Sequence, residues 1–246
     1  MPEKIAALQK MLDESERICV FTGAGISCPS GIPDFRSANG LYSERAKGDY
    51  TPEEIISHTV FEREPELFYE FYRTKMVYPS AEPNEAHRYF AALEKTGKKV
   101  TVVTQNIDGL HQKAGSGDVV ELHGSVLRNN CQRCGKFYDV SAITGTNGVP
   151  RCSCGGVIKP DVVLYEEALD QSAVARAIEA IASADLMLII GTSLVVYPAA
   201  SYVRYFRGKN LVLLNKTETP YDKTVRLAIY DDIINVVRAL ENLQER

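Results

Sequence analysis

Four of the six cysteines fall in one 24-residue window, as the close pairs Cys131-x-x-Cys134 and Cys152-x-Cys154 with 17 residues between them. In a reducing compartment such thiols do not pair as disulfides. Two close thiolate pairs suit a tetrahedral zinc ion. Gly135, Gly155 and Gly156 allow the tight turns such a site needs. No histidine lies between the pairs to leave an open coordination position, so the site reads as structural. Four buried free cysteines are the plainer alternative, and the clustering argues against it. A nucleic-acid-binding ribbon is the other, since Arg128, Arg133, Lys136 and Arg151 flank the pairs. The formal net charge of −4 argues against that, because nucleic-acid binders usually present a basic face.

The remaining chemistry-bearing groups follow short apolar runs. Gly23-Ala24-Gly25-Ile26-Ser27 follows Arg17–Thr22, and Gln105-Asn106-Ile107-Asp108 follows Lys99–Thr104. His123-Gly124 follows residues 119–122, Gly191-Thr192-Ser193 follows Leu186–Ile190, and Asn215 follows residues 211–214. Any one of these could be an ordinary turn. Together they place glycines, hydroxyls, amides, a carboxylate and an imidazole where open parallel sheets bind ligands, outside the carboxyl ends of the strands. Gly23 and Gly25 resemble the start of a dinucleotide fingerprint, whose glycines let backbone N–H groups approach a pyrophosphate at a helix N-terminus. The third glycine position is Cys28. No acidic residue closes a second strand about twenty residues on, where a dehydrogenase holds its ribose. NAD therefore fits better than hydride transfer does.

The elements that must position these groups can be read from periodicity. The apolar runs are strands. Ile5, Leu8 and Leu12; Ala86, Tyr89, Phe90 and Leu93; Val174, Ala177, Ile178 and Ile181; and Ile233, Val236, Val237 and Leu240 have helical spacing. Asp231 or Asp232 would cap the last helix. Short buried strands separated by helices predict an α/β fold, a Rossmann-like parallel sheet with helices on both faces. Residues 37–80 (helical, rich in Tyr, Phe and Glu) and 126–159 (the cysteines) break the rhythm. They are read as a helical insertion and a zinc-ribbon insertion forming one small domain, with 1–36, 81–125 and 160–246 as the NAD-binding domain. The longest apolar run is far short of the roughly 18 residues of a membrane span. The charged N-terminus does not read as a secretory signal. A cytoplasmic monomer without membrane or nucleic-acid partners is expected.

The motifs GAGIS (23–27), GIPDFR (31–36), TQNIDGLH (104–111), ELHGS (121–125), the two cysteine pairs, GTSL (191–194) and the Asn215 turn occur in the order found in sirtuins. The chain is similar to that family from about Ile18 to Val237. The resemblance implies NAD as a consumed co-substrate, one structural zinc ion, and acyl-lysine proteins or peptides as partners, the peptide entering the cleft as an extra strand. It implies that Gly23, Ala24, Gly25 and Cys28 form the phosphate loop. Phe35 and Arg36 would cover the nicotinamide end and phosphates. Gln105 would bind ribose, and Asn106 and Asp108, with Ile107 beside them, would hold the nicotinamide ribose and carboxamide. Gly191, Thr192, Ser193 and Asn215 would hold the adenosine half, with Asp232 or Ile233 closing over adenine. In sirtuins the acyl oxygen attacks C1′ of the nicotinamide ribose, nicotinamide leaves, and a histidine acts as base on a ribose hydroxyl. Free lysine and O-acyl-ADP-ribose are then released. His123 stands at that histidine's position, and a reference pKa near 6.5 suits the task. His58, His87 and His111 are read as structural.

Three departures stand out. The second cysteine pair is C-x-C where many relatives have C-x-x-C. Val163, Leu164 and Tyr165 lead into Glu166-Glu167 where relatives have aromatic-Gly-Glu. Glu166 would add negative charge beside the peptide and favour basic sequences; an unchanged preference in Glu166→Gly would remove that idea. Relatives that take acidic acyl groups carry Tyr-x-x-Arg, where this chain has Tyr72 and Lys75, a point charge without the bidentate fork. The plainer reading makes Tyr72 and Lys75 the exposed edge of a helix, and deacetylation is expected first. The competing functions are an ADP-ribosyl transferase using the same pocket, and an NAD or ADP-ribose sensor. His123 speaks against the sensor.

Overall fold

The structure, a computed structural model, describes residues 1–35, 40 and 50–244. Nine strands and nine α-helices are described. β1 (Arg17–Thr22), β2 (Lys99–Thr104), β3 (Val119–Glu121), β7 (Leu186–Ile190), β8 (Asn210–Asn215) and β9 (Leu227–Tyr230) form one six-stranded sheet in the order β3-β2-β1-β7-β8-β9. Every pairing in it is parallel, with Val20 between Val102 and Leu188 at its centre. Parallel strands covered on both faces are apolar almost throughout rather than alternating. In β7 all five residues are buried.

Alternate residues feed two cores. Ile18, Val20, Val102 and Leu188 face α1 (Pro2–Glu14), α5 (Glu85–Glu94) and α9 (Ile233–Gln244). Cys19, Phe21, Val103 and Ile189 face α8 (Gln171–Ser183) and the 3₁₀ segment Ala199–Tyr205. The expected helical stripes are the buried faces: Ile5, Leu8 and Leu12 of α1, and Ala86, Tyr89, Phe90 and Leu93 of α5. In α8 only Ala177 and Ile181 are buried, with Val174 and Ile178 packed at the rim. The last helix is capped by Asp232, whose Oδ1 accepts the Ile234 N–H at 2.9 Å, while Asp231 braces the Asp232 amide.

The second sheet is antiparallel, in the order β5-β4-β6, from β4 (Gly124–Cys131), β5 (Phe137–Asp139) and β6 (Ile158–Val162). It extends past both ends of the 126–159 insertion expected from sequence. α2 (Pro52–Ile55), α3 (His58–Arg63), α4 (Pro65–Lys75) and the short α7 (Ser141–Thr144) lie with it. Phe61, Phe68, Tyr69 and Tyr72 share one core with Val126, Ile143, Ile158 and Leu164, and the Tyr69 hydroxyl donates to the Ile158 carbonyl at 2.7 Å. The described residues of the two sequence insertions, within 50–80 and 126–159, thus contribute to one shared core. No described helix is long and apolar enough to cross a membrane.

Candidate active site

The carboxyl ends of β1, β2, β3, β7 and β8 open onto one cavity of about 1050 Å³, which the small module closes from the far side. At its floor the loops after β1 and β7 touch. Gly25 N–H donates to the Gly191 carbonyl at 2.8 Å, and Gly23 N–H to the Ile190 carbonyl at 3.0 Å. A Cβ on Gly191, whose φ is +58°, would lie 2.4 Å from the Ile26 nitrogen. The glycines therefore serve loop-to-loop approach, and both amides are spent on it. These two amides are therefore not free to face a pyrophosphate, and the loop does not lead into the α-helix that the fingerprint implies. The chain continues through two 3₁₀ turns, Ala24–Ile26 and Cys28–Ser30, instead.

The loop after β2 is locked by side chains. Asn106 Nδ2 donates to Ser27 Oγ at 3.1 Å, and Ser27 Oγ donates to Asp108 Oδ2 at 2.7 Å. Asp108 Oδ1 accepts the Leu110 N–H, starting α6 (Leu110–Ala114). Burial raises the Asp108 pKa against these two hydrogen bonds. Gln105 Nε2 donates to Thr192 Oγ1 at 3.1 Å, joining the β2 and β7 ends.

His123 lies just beyond β3. Its Nδ1 sits 2.9 Å from the Gln105 carbonyl. A carbonyl only accepts, so Nδ1 carries the proton and Nε2 keeps its lone pair. Burial is the main influence on the ring and lowers its pKa, partly offset by the Gln105 bond. The imidazole is thus a neutral base at neutral pH, on the cavity wall. Gly124 follows with φ +74°, and a Cβ there would stand 2.0 Å from the Asp161 carbonyl oxygen, so only glycine lets the chain turn into β4 at this point.

Gly23, Ala24, Gly25, Cys28 and Phe35 line the cavity, as do Gln105, Asn106, Ile107 and Asp108. Gly191, Thr192, Ser193, Asn215 and Ile233 line it too. Arg36 lies outside the described residues. Asp232 does not line this cavity; Asp231 does, because Asp232 turns away to cap α9 and to pair with Lys216 at 2.8 Å. Sequence reasoning gave no role to Ser27, although a serine closing the first loop was the signal available, nor to Lys216. The Cys28 thiol pKa is raised by burial and by Asp34, so it is protonated at neutral pH.

An apolar arm of the cavity runs into the small module between Ile56, Met76, Val77, Val126 and Val162. Tyr72 and Lys75 line it. Tyr72 is only 1% exposed, and its hydroxyl is buried with no hydrogen-bond partner. The reading of Tyr72 as an exposed helix edge is therefore wrong: the ring stacks on Phe68 at 5.5 Å, inside the shared core. Val163, Leu164, Tyr165 and Glu166 form one wall of the cavity. Glu166 has φ +75°, one of two described non-glycine residues in the left-handed region, at a cost of about 1–2 kcal/mol. Its carboxylate turns onto Thr59, accepting from the backbone N–H at 2.9 Å and from Oγ1 at 2.7 Å, rather than projecting free beside the cleft.

The sulfurs of Cys131, Cys134, Cys152 and Cys154 all lie within 4.8 Å of one another. Zinc–sulfur bonds of about 2.3 Å in a tetrahedron require sulfurs roughly 3.8 Å apart, and Cys131–Cys154 and Cys134–Cys152 stand at 3.5 and 3.7 Å. Gly135 and Gly155 have φ +70° and +83°, and a Cβ on Gly156 would reach 2.7 Å from Cys131 Sγ. The shortened C-x-C pair is accommodated. Donors aimed at the sulfurs fit thiolates: Arg133 N–H to Cys131, and the Tyr138 hydroxyl to Cys152 at 3.1 Å. Four protein ligands leave no open position, so a zinc ion here would be structural.

Residues 23–198 match the Sir2 family. The chain belongs to that family, the sirtuins. An NAD-dependent protein deacetylase of Clostridium perfringens is 55% identical over 239 residues, spanning 96% of this chain and 98% of that one. A Staphylococcus aureus NAD-dependent protein deacetylase is 43% identical over 98% of this chain and 99% of its own length. Among solved structures, a Sir2 variant with deacetylated p53 peptide and 3′-O-acetyl ADP ribose superposes with TM-score 0.88 and 39% identity, covering 97% of this chain and 98% of that one. A Sir2–p53 peptide–NAD⁺ structure gives TM-score 0.85 and 38% identity, covering 98% of each chain.

Proposed function

We propose that this sirtuin removes acetyl groups from protein lysines with NAD as co-substrate, releasing nicotinamide, free lysine and O-acetyl-ADP-ribose, with His123 as general base. The observation that carries the reading is the fixed tautomer of His123: Nδ1 is held by the Gln105 carbonyl, and Nε2 is the unprotonated nitrogen of a residue on the cavity wall. A sensor that only binds its ligand has no use for a base held this way. Asn106 and Asp108, tied through Ser27, hold polar groups at the same end. Gln105 and Thr192 place an amide and a hydroxyl where the sugar would lie. Asn215, Asp231 and Ile233 border the adenosine end. The acyl chain would enter the apolar arm, excluded from water by Ile107, Val126 and Val162. Tyr72 and Lys75 at its end allow some turnover of acidic acyl groups, with acetyl preferred.

The test is incubation with NAD and an acetyl-lysine peptide, following nicotinamide and free-lysine peptide by mass spectrometry. Both should appear together and only with peptide. His123→Ala should bind NAD normally and lose turnover by at least about 10²-fold, the usual size of a general-base contribution. Nicotinamide release without peptide, with a mass gain on protein, would make the chain an ADP-ribosyl transferase. Retained turnover in His123→Ala would remove the histidine from the mechanism.

A further inference from the structure

The cavity wall Val163–Glu167 hangs between the two bodies of the molecule. On one side Val163 N–H donates to the His123 carbonyl at 3.0 Å, directly behind the proposed base. On the other, Tyr165 exchanges hydrogen bonds with the start of α3: its N–H donates to the Ile56 carbonyl at 3.1 Å and its carbonyl accepts the His58 N–H at 3.0 Å. The wall then reverses in a β-turn, Glu167 N–H donating to the Leu164 carbonyl at 3.1 Å, with Glu166 at the third position. A positive φ at that position is the geometry for which glycine is ordinarily selected, and Glu166 adopts it at +75°. Strain at a non-glycine residue persists only where surrounding contacts over-determine it. Here those contacts are the two hydrogen bonds from Thr59 to the Glu166 carboxylate. The next residue repeats the arrangement, with Glu167 accepting from Leu164 N–H and Lys159 and pairing with His58 Nδ1.

We infer that Glu166 is a positioning residue for the acyl-lysine peptide: its carboxylate tethers the cavity wall to Thr59 of the helical module and so sets the width of the channel the peptide must enter. This deepens the deacetylase reading and rests on it. The tether, not the negative charge, is the working part, since both bonds require only an acceptor. It acts on peptide capture and not on NAD, whose expected contacts lie on the strand ends that Glu166 does not touch.

The test compares Glu166→Ala, Glu166→Gly and Glu166→Gln with the parent chain. In Glu166→Ala and Glu166→Gly the KM for an acetyl-lysine peptide should rise about tenfold, the equivalent of one net charge-assisted hydrogen bond, with kcat and the KM for NAD unchanged. Glu166→Gln, which retains an acceptor oxygen, should stay within about twofold of the parent, well inside the tenfold that one such bond is worth. Amide hydrogen exchange at Thr59 and Tyr165 should accelerate in the alanine and glycine variants but not in the glutamine one. Equal peptide KM in all four proteins overturns the inference. A glutamine variant as impaired as alanine also overturns it, and transfers the effect to charge. An inactive parent chain would sink the deacetylase reading by itself. In that case binding of a labelled acetyl-lysine peptide, measured by fluorescence anisotropy beside the exchange data, decides the tether: unchanged affinity in Glu166→Ala refutes it.

Discussion

Acid should loosen this protein in a pH window set by two buried imidazoles. His87 and His111 pack edge to face, centroids 4.8 Å apart, between α5 and α6. His87 Nδ1 accepts the Asn84 N–H, and His111 Nε2 lies 3.1 Å from Thr22 Oγ1. The other nitrogen of each ring is buried with no partner. Burial lowers His87 to about 4, with Arg88 adding to the effect, and lowers His111 to about 3, with His87 adding. An unfolded histidine titrates near 6.5. Between that pH and the folded values the unfolded chain binds protons that the folded chain does not, so stability falls as pH falls. Above pH 6.5 the contribution is complete. At pH 5 each ring should have cost about 2 kcal/mol, or roughly 4 kcal/mol together, a large share of a typical 5–15 kcal/mol. His123 moves in the same direction. The exposed His58, whose pKa Glu167 raises, works weakly the other way. The assay is urea denaturation at pH 7.5, 6.0 and 5.0 on the parent chain and on His111→Gln, which keeps a donor for Thr22. The variant's loss between pH 7.5 and 5.0 should shrink by about 2 kcal/mol. An identical loss in both proteins would refute the assignment of this window to the buried pair.

Gly124→Ala puts a methyl 2.0 Å from the Asp161 oxygen at a left-handed φ; left-handed strain and overpacking together should cost about 2–5 kcal/mol, read as a fall in midpoint on thermal denaturation, and an unchanged midpoint would contradict the geometry. Purified protein should carry one zinc per chain by elemental analysis. Chelation should speed hydrogen exchange in 126–162 and around Phe68 and Tyr69, whose core includes Cys131 and Cys152, while the six-stranded sheet stays protected; equal exchange in both regions would count against a structural metal.

The strands β1, β2, β7 and β8, and the helices α1, α5, α8 and α9, were legible because a buried parallel strand and an amphipathic helix leave unmistakable apolar periods. β9 was not, since an edge strand of four residues with only Ile229 fully buried looks like any short apolar run. β4, β5 and β6 escaped for other reasons: β5 has three residues and none is buried, the pairing of β4 with β6 shifts register between Ser125 and Asn129, and the alternation in β6 runs through Lys159-Pro160-Asp161. Among candidate site residues, the four cysteines could be named from type and spacing alone, whereas His123, Asn106 and Asp108 followed from the motifs shared with sirtuins.

What the sequence determined by itself is therefore the inventory: a Sir2-family chain, a parallel sheet, five polar strand ends and two cysteine pairs at ligand spacing. Tertiary structure alone decided how that inventory is used. The glycines of the first loop turned out to serve a contact with Gly191, a residue far away in sequence. Asp232 went to the helix cap and left Asp231 to the cavity. Tyr72 moved from an expected surface to a buried wall, and Glu166 turned its charge onto Thr59. Each outcome depends on which partner lies within about 3 Å, and hydrogen bonds and steric contacts fall off too steeply with distance for residue type and spacing to specify them.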